Sequence, residues 1–272
     1  GTEAPSAGPD LADVDYASYL MNGKGNNDPW TMEVEPGQSV RLRVTGAGAS
    51  TYFRVSLDEH DMEITHVNGP AVEPVVVDEF LIGPGEGYDA RVRIEKPGSY
   101  TLHAVTQAGD AQAVGVIHTP GAAKAPNMAI PKPGKRPLAL SMLRAIEPTT
   151  LPPGKRRDLR IELGGDMSTY TWTLNGQAYP EADPLVIGAG ERVGVKLVNK
   201  TMMWHPMHLH GHFFRTLLGG GERAPLMHTV SVPPRQTIDI EFTADNPGSW
   251  IFHCHNLYHL DAGMARDFVY EV

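Results

Sequence analysis

The sequence predicts an all-β protein made of two Greek-key β-sandwich domains. Three observations carry this: short strands of period-two hydrophobicity between glycine turns, a composition rich in turn formers, and a repeat near the domain scale.

The chain has 272 residues, room for two domains of the usual roughly 100–150 residues. Apolar residues make up 41%, enough for a sizeable core, and 29 glycines with 23 prolines favour a turn-rich β protein over a helical bundle. Residues 31–118 read as strands. Ser39–Val44, Tyr52–Leu57 and Asp89–Ile94 each alternate with period two. Turns such as Glu35-Pro36-Gly37 and Lys96-Pro97-Gly98 separate them, and Glu86–Asp89 reads as a corner before a strand. Thr119–Lys135, rich in Pro, Gly, Ala and Lys, reads as a linker between a domain over residues 1–125 and another over 136–272. Leu138–Leu143 is expected as a strand, followed by a loop through Pro152-Pro153-Gly154. Strand patterns resume at Asp158–Leu163, Arg192–Val198 and Thr237–Phe242.

The halves echo each other. Glu35–Val40 matches Gly188–Val193, and Lys96–His103 matches Asn246–His253. A repeat of this size predicts two copies of one sandwich, of which only the second places a cysteine after the final histidine.

Several function classes drop out. No apolar run approaches the roughly 20 residues of a membrane span. A net charge of -9 argues against nucleic acid and mildly favours approaching cations. Gly1–Asp10 lacks the basic and apolar regions of a signal peptide. The single cysteine, Cys254, forbids an intramolecular disulfide. A lone cysteine is ordinarily a small buried hydrophobe, but its neighbours change that reading.

Seven of the 12 histidines fall in two windows, His205–His212 and His253–His259. Successive side chains of a strand point to opposite faces. Cys254 therefore points one way while His253 and His255 point the other. His208 and His210 share a face, and His205 is free to take the opposite one. Two metal positions follow. One collects His205, Cys254, His259 and Met264: two imidazoles, a thiolate and a thioether. That set is the signature of a blue (type 1) copper electron-transfer site, and the thioether serves zinc poorly. The other collects His208, His210, His253 and His255. Imidazole alone suits copper, zinc or iron, but the covalent link to Cys254 selects copper, since an electron can pass from Cys254 into either flanking imidazole. Cys254, His253 and His255 are thus the candidate catalytic residues. The plainer alternative, unrelated core and surface histidines, leaves unexplained the spacing of Cys254, His259 and Met264 along what reads as one strand and turn.

Nearby residues have plainer readings. Met202, Met203, Met207 and Met227 read as packing around the copper rather than a Cu(I) path. His212 reads as structural and His228 as surface or packing. Asp261 either tunes the site, meets a cationic donor or caps a turn.

These motifs resemble the multicopper oxidases, which include laccases and CopA-type copper-resistance oxidases. The CopA-type resemblance rests on Tyr19–Gly23, Thr201-Met202-Met203, His228-Thr229-Val230 and Leu257–Met264, and it covers the chain from about residue 12 to the end. It implies cupredoxin sandwiches and a trinuclear copper cluster that reduces dioxygen to water. It also implies His208 on the type 2 copper and His210, His253 and His255 on the type 3 pair, in a periplasmic or extracellular setting. The family's first domain supplies two further His-x-His pairs. This sequence has none before His208: His60, His66, His103 and His118 stand alone. Residues 12–118 resemble the copper-free second domain and 136–272 the third. The expected function is a multicopper oxidase polypeptide without its first domain, oxidising a donor such as Cu(I) or a phenol. Its cluster would be completed by a chain or domain carrying two His-x-His pairs. The alternatives are a blue-copper electron-transfer protein and a copper-sequestering protein.

Overall fold

The computed structural model describes residues 13–271 and is all-β, with four sheets. Alternation of apolar and polar residues explains the strands directly. In Ser39–Thr45, Val40 and Leu42 are buried while Arg41 and Arg43 face solvent. Its antiparallel partner Gly87–Arg93 buries Tyr88, Ala90 and Val92.

Contacts divide the chain into two units: residues 14–150 with 215–227, and Asp13 with residues 151–214 and 228–271. In the first unit a five-stranded sheet runs in the order Trp30–Glu33, Gln112–His118, Ser99–Thr106, Phe53–Leu57, Phe80–Ile82. A four-stranded sheet runs Ser39–Thr45, Gly87–Arg93, Met62–Val67, Ala71–Val77. Val55, Ile64, Phe80, Val92 and Val114 are among its buried core residues.

In the second unit a five-stranded sheet runs Leu185–Ile187, Ala265–Tyr270, Ser249–Cys254, His205–Leu209, Thr229–Val232. Thr171–Leu174, Arg156–Asp166, Arg192–Asn199 and Thr237–Thr243 lie side by side in the other sheet. Trp172, Ile161, Phe242, Phe252 and Phe268 fill the core.

The sequence repeat has a structural counterpart. Tyr100 donates its hydroxyl proton to the Lys96 carbonyl at 3.0 Å, and the Trp250 indole N–H donates to the Asn246 carbonyl at 2.7 Å. The same corner is built twice with different aromatic rings.

The expected strand at Leu138–Leu143 is instead a short 3-10 turn, Leu140–Met142. Its apolar residues have no buried face to alternate against: Ala139 and Met142 are exposed and only Leu143 is fully buried. A second difference matters for the site. The stretch after Cys254, read as strand and turn, contains a single helical turn, Leu257–Asp261. Asn256 caps it, its side chain accepting from the Tyr258 and His259 N–H groups.

Glu191 ties the start of Arg192–Asn199 to that of Arg156–Asp166. Its buried carboxylate accepts from Arg157 at 3.0 Å and from the Gly188 N–H at 2.9 Å. The Arg157 hydrogen bond is the main cause that brings its pKa down to about 2. A pKa lower in the folded state stabilises at neutral pH, and that contribution fades as pH falls from 4.5 toward about 2. Glu191→Gln is expected to melt at lower temperature at pH 7 and to show a weaker acid dependence below pH 4.5. Thermal melts across pH check this, and equal melting temperatures at pH 7 would contradict it.

Candidate metal centre

Strand pairing sorts the ligands. His205–Leu209 runs antiparallel to Ser249–Cys254, with Met207 opposite Cys254 and His208 opposite His253. Cys254 therefore shares a face with Met207 and His205, and His253 shares the other with His208.

On the inner face, His205, Cys254 and His259 converge. The two Nδ1 atoms are 3.1 Å apart, and the Cys254 sulfur is 3.7 Å from one and 3.6 Å from the other. All three residues are fully buried.

The outer nitrogens decide the tautomers. The Thr201 hydroxyl is within donor reach of the Asn199 side-chain oxygen at 2.9 Å, which leaves it free to accept from His205 Nε2 at 2.7 Å. The Asp13 carboxylate accepts from His259 Nε2 at 3.1 Å, from the Tyr170 hydroxyl at 2.6 Å and from the Asn256 amide at 2.6 Å. Burial pushes the Asp13 pKa up, but the hydrogen bonds from His259, Tyr170 and Asn256 outweigh it and hold it below the ordinary carboxylate range. Both imidazoles thus carry their proton on Nε2 and turn bare Nδ1 lone pairs toward one sulfur. Fixing a ring through its far nitrogen is how metal-binding histidines are oriented.

Two facing lone pairs cannot bond each other, and one thiol proton serves only one of them. An unpaired buried acceptor costs about 1–3 kcal/mol. A soft cation between two imidazoles and a sulfur removes that cost, so the donor set fits copper. Burial pushes the Cys254 thiol pKa far up, so a metal must displace its proton. Trp172 packs against His259 at 3.9 Å between ring centroids and against His205 at 5.2 Å, sealing the pocket. Met264 is also fully buried, and its backbone bonds to Cys254 and His259. The donor atoms of His205, Cys254 and His259 all lie within 4.8 Å of one another.

On the outer face, His208, His210 and His253 offer nitrogens that lie together. His208 Nδ1 donates to the His228 carbonyl at 2.7 Å, and His253 Nδ1 donates to the Cys254 carbonyl at 2.9 Å. Both rings therefore present Nε2, and His253 Nε2 lies 3.1 Å from His210 Nε2. His255 stands beside them, its ring 5.7 Å from His208 and 5.6 Å from His253, outside the close group. Its Nδ1 is buried without a hydrogen-bond partner. Burial brings the His208 pKa to about 3 and the His253 pKa to about 4, leaving both rings neutral and able to ligate.

The remaining residues resolve simply. His212 Nε2 bonds the Tyr270 hydroxyl at 2.7 Å, within the core. His228 packs on His208 at 5.0 Å. Met203, Met207 and Met227 are buried, Met202 is exposed, and Asp261 is exposed at the end of the helical turn. In the first unit His103 bonds Gln112 and Asp58, while His60, His66 and His118 bond neighbouring residues.

Sequence reasoning missed the groups that hold the ligands. Asn256 had a signal, a capping residue before an apolar run. Thr201 and Trp172 had none in their spacing. Asp13 lies 246 residues from His259, and no local pattern connects them.

Residues 4–122 and 152–272 each match a family described as multicopper oxidase. The chain is 37% identical to Multicopper oxidase MmcO of Mycobacterium tuberculosis, over 97% of this chain and 53% of that protein. It is 27% identical to a Copper resistance protein A homolog of Pseudomonas syringae pv. tomato, over 95% and 59%. The chain spans little more than half the length of these relatives. The fold matches that of Fet3p, described as a multicopper oxidase that functions in iron import, with a TM-score of 0.81 at 20% identity, covering 91% of this chain and 59% of that one.

The tautomers are testable without metal. Nitrogen-detected NMR of the metal-free protein should place the proton on Nε2 in His205 and His259 and on Nδ1 in His208 and His253. His208 and His253 should stay neutral at pH 5, given pKa values of about 3 and about 4. A proton on Nδ1 of His259, or titration of His208 near pH 6.5, would refute the assignment.

Proposed function

Because the chain belongs to the multicopper oxidase family, we propose that it holds a type 1 copper at His205, Cys254 and His259, with Met264 as a weak axial ligand, and contributes His208, His210, His253 and His255 to a trinuclear copper site. The observation that carries this reading is the pair of Nδ1 lone pairs fixed toward one sulfur in a sealed pocket. When bound, copper supplies one-electron oxidation of a donor, Cu(I) or a phenol, at the first position and reduction of dioxygen to water at the second. A relative named for copper resistance supports Cu(I) as a donor.

The chain's own residues prepare this chemistry. Thr201 and Asp13 hold the two imidazoles in one tautomer, so little reorganisation is needed when the redox state changes. Trp172 excludes water from the sulfur. Cys254 is joined covalently to His253 and His255, a path of one residue between the two sites. A second reading, a blue-copper electron-transfer or copper-sequestering chain, draws on one observation: His210 is exposed and the outer nitrogens that lie together come from three residues.

Adding Cu(II) should produce the strong blue absorption of thiolate-to-copper charge transfer, and Cys254→Ser should abolish it. A copper-loaded, oxidised wild type that stays colourless would sink the type 1 assignment. The isolated chain should bleach with a donor but take up oxygen slowly. Adding a chain that carries two His-x-His pairs should raise uptake and make it cyanide-sensitive. Fast uptake by a verified monomer would mean that the four outer histidines suffice by themselves.

A further inference from the structure

The first unit contains a cavity of about 720 Å³, and strand register gives its address. In the second unit Met207 faces Cys254, with His205 on the same side two positions earlier. In the first, Val55 faces Ala104 and Ser56 faces His103, the repeat counterpart of His253. Ala104 therefore stands where Cys254 stands, and Phe53 where His205 stands. His253 faces Ala265 and His103 faces Val114, which puts Ala113 in the place of Met264. Tyr19 precedes Met21-Asn22-Gly23 as Trp172 precedes Leu174-Asn175-Gly176. It packs edge-on against Phe53 at 5.5 Å, as Trp172 packs against His205 at 5.2 Å. Tyr19, Phe53, Ala104 and Ala113 all line the cavity. The hollow occupies the position of the metal pocket, with each of these donors replaced by a group that cannot ligate.

The replacement changes what the space can hold. His205, Cys254 and Met264 are sealed, whereas Phe53 and Ala104 are partly open. The volume lies within the roughly 300–1,000 Å³ of small-molecule pockets. Tyr19, Phe53 and Trp30 supply aromatic rings and Met32 a thioether, both of which favour aromatic partners. Arg41 and Arg43, both on the lining, pair with the same carboxylate, Asp89, at 2.7 Å and 3.8 Å, so that acid already answers the cations there. We infer that this cavity is a binding site for an uncharged, multi-ring aromatic molecule.

The test uses the full chain and the neutral dye phenylnaphthylamine, which fluoresces when shielded from water. Two variants obstruct the space. Ala104→Leu fills it from the wall, and Thr45→Trp covers it from an exposed strand end on the lining. Wild type should show a saturable rise in fluorescence, and each variant should weaken dye binding by about tenfold or more. Melting temperature and the Cu(II)-dependent blue band should be unchanged. A rise that never saturates, or that both variants leave intact, overturns the inference, because the dye is then only coating exposed apolar side chains. Should Ala104→Leu fail to fold, Thr45→Trp decides alone, since Thr45 is exposed and its replacement removes no core contact.

Discussion

One antiparallel register governs the chemistry of this protein. With Met207 opposite Cys254 and His208 opposite His253, each residue step along either strand alternates between a sealed interior and the opposite face. A slip of one residue would turn His253 into the interior face and the only cysteine onto the opposite one. Both metal positions depend on that pairing, and so does the one-residue covalent separation between them. The register itself rests on ordinary forces: Phe252, Leu209 and Met207 are buried on this strand pair and tolerate no other alignment.

Ligand residues alone do not make a site, because an imidazole has two nitrogens and can turn either one inward. Here the choice is made from outside. Thr201, with Asn199 in reach as an acceptor for its own proton, is placed to accept from His205. Asp13 cannot donate to His259, because its carboxylate stays ionised. Asn256 acts twice, capping the helical turn that carries His259 and donating to Asp13. Residues that never touch the metal position therefore determine which atoms do.

The two halves show how one sandwich accepts different contents. Its frame is repeated down to the aromatic-to-carbonyl bonds of Tyr100 and Trp250. The same register address holds His205, Cys254 and Met264 in one copy and Phe53, Ala104 and Ala113 in the other. Strand alternation fixes the direction in which these positions point, while the side chains decide whether the space is lined by donor atoms or stays hollow.

The sequence by itself determined the all-β class, most strand positions and the division of histidines between two faces, because those follow from period-two alternation within a few residues. It also identified His205, Cys254 and His259 as a set, since the chemistry of two imidazoles and a thiolate is specific wherever they meet. It misread Leu138–Leu143, where apolar residues lack a sheet to pair with, and the turn after Cys254, where Asn256 nucleates a helix. Only the tertiary structure decided how the ligands are held. The contact of Asp13 with His259, the ring of Trp172 on the same imidazole and the hollow behind Ala104 each join segments distant in sequence. Such contacts are set by packing of the whole sandwich, and local spacing carries no trace of them.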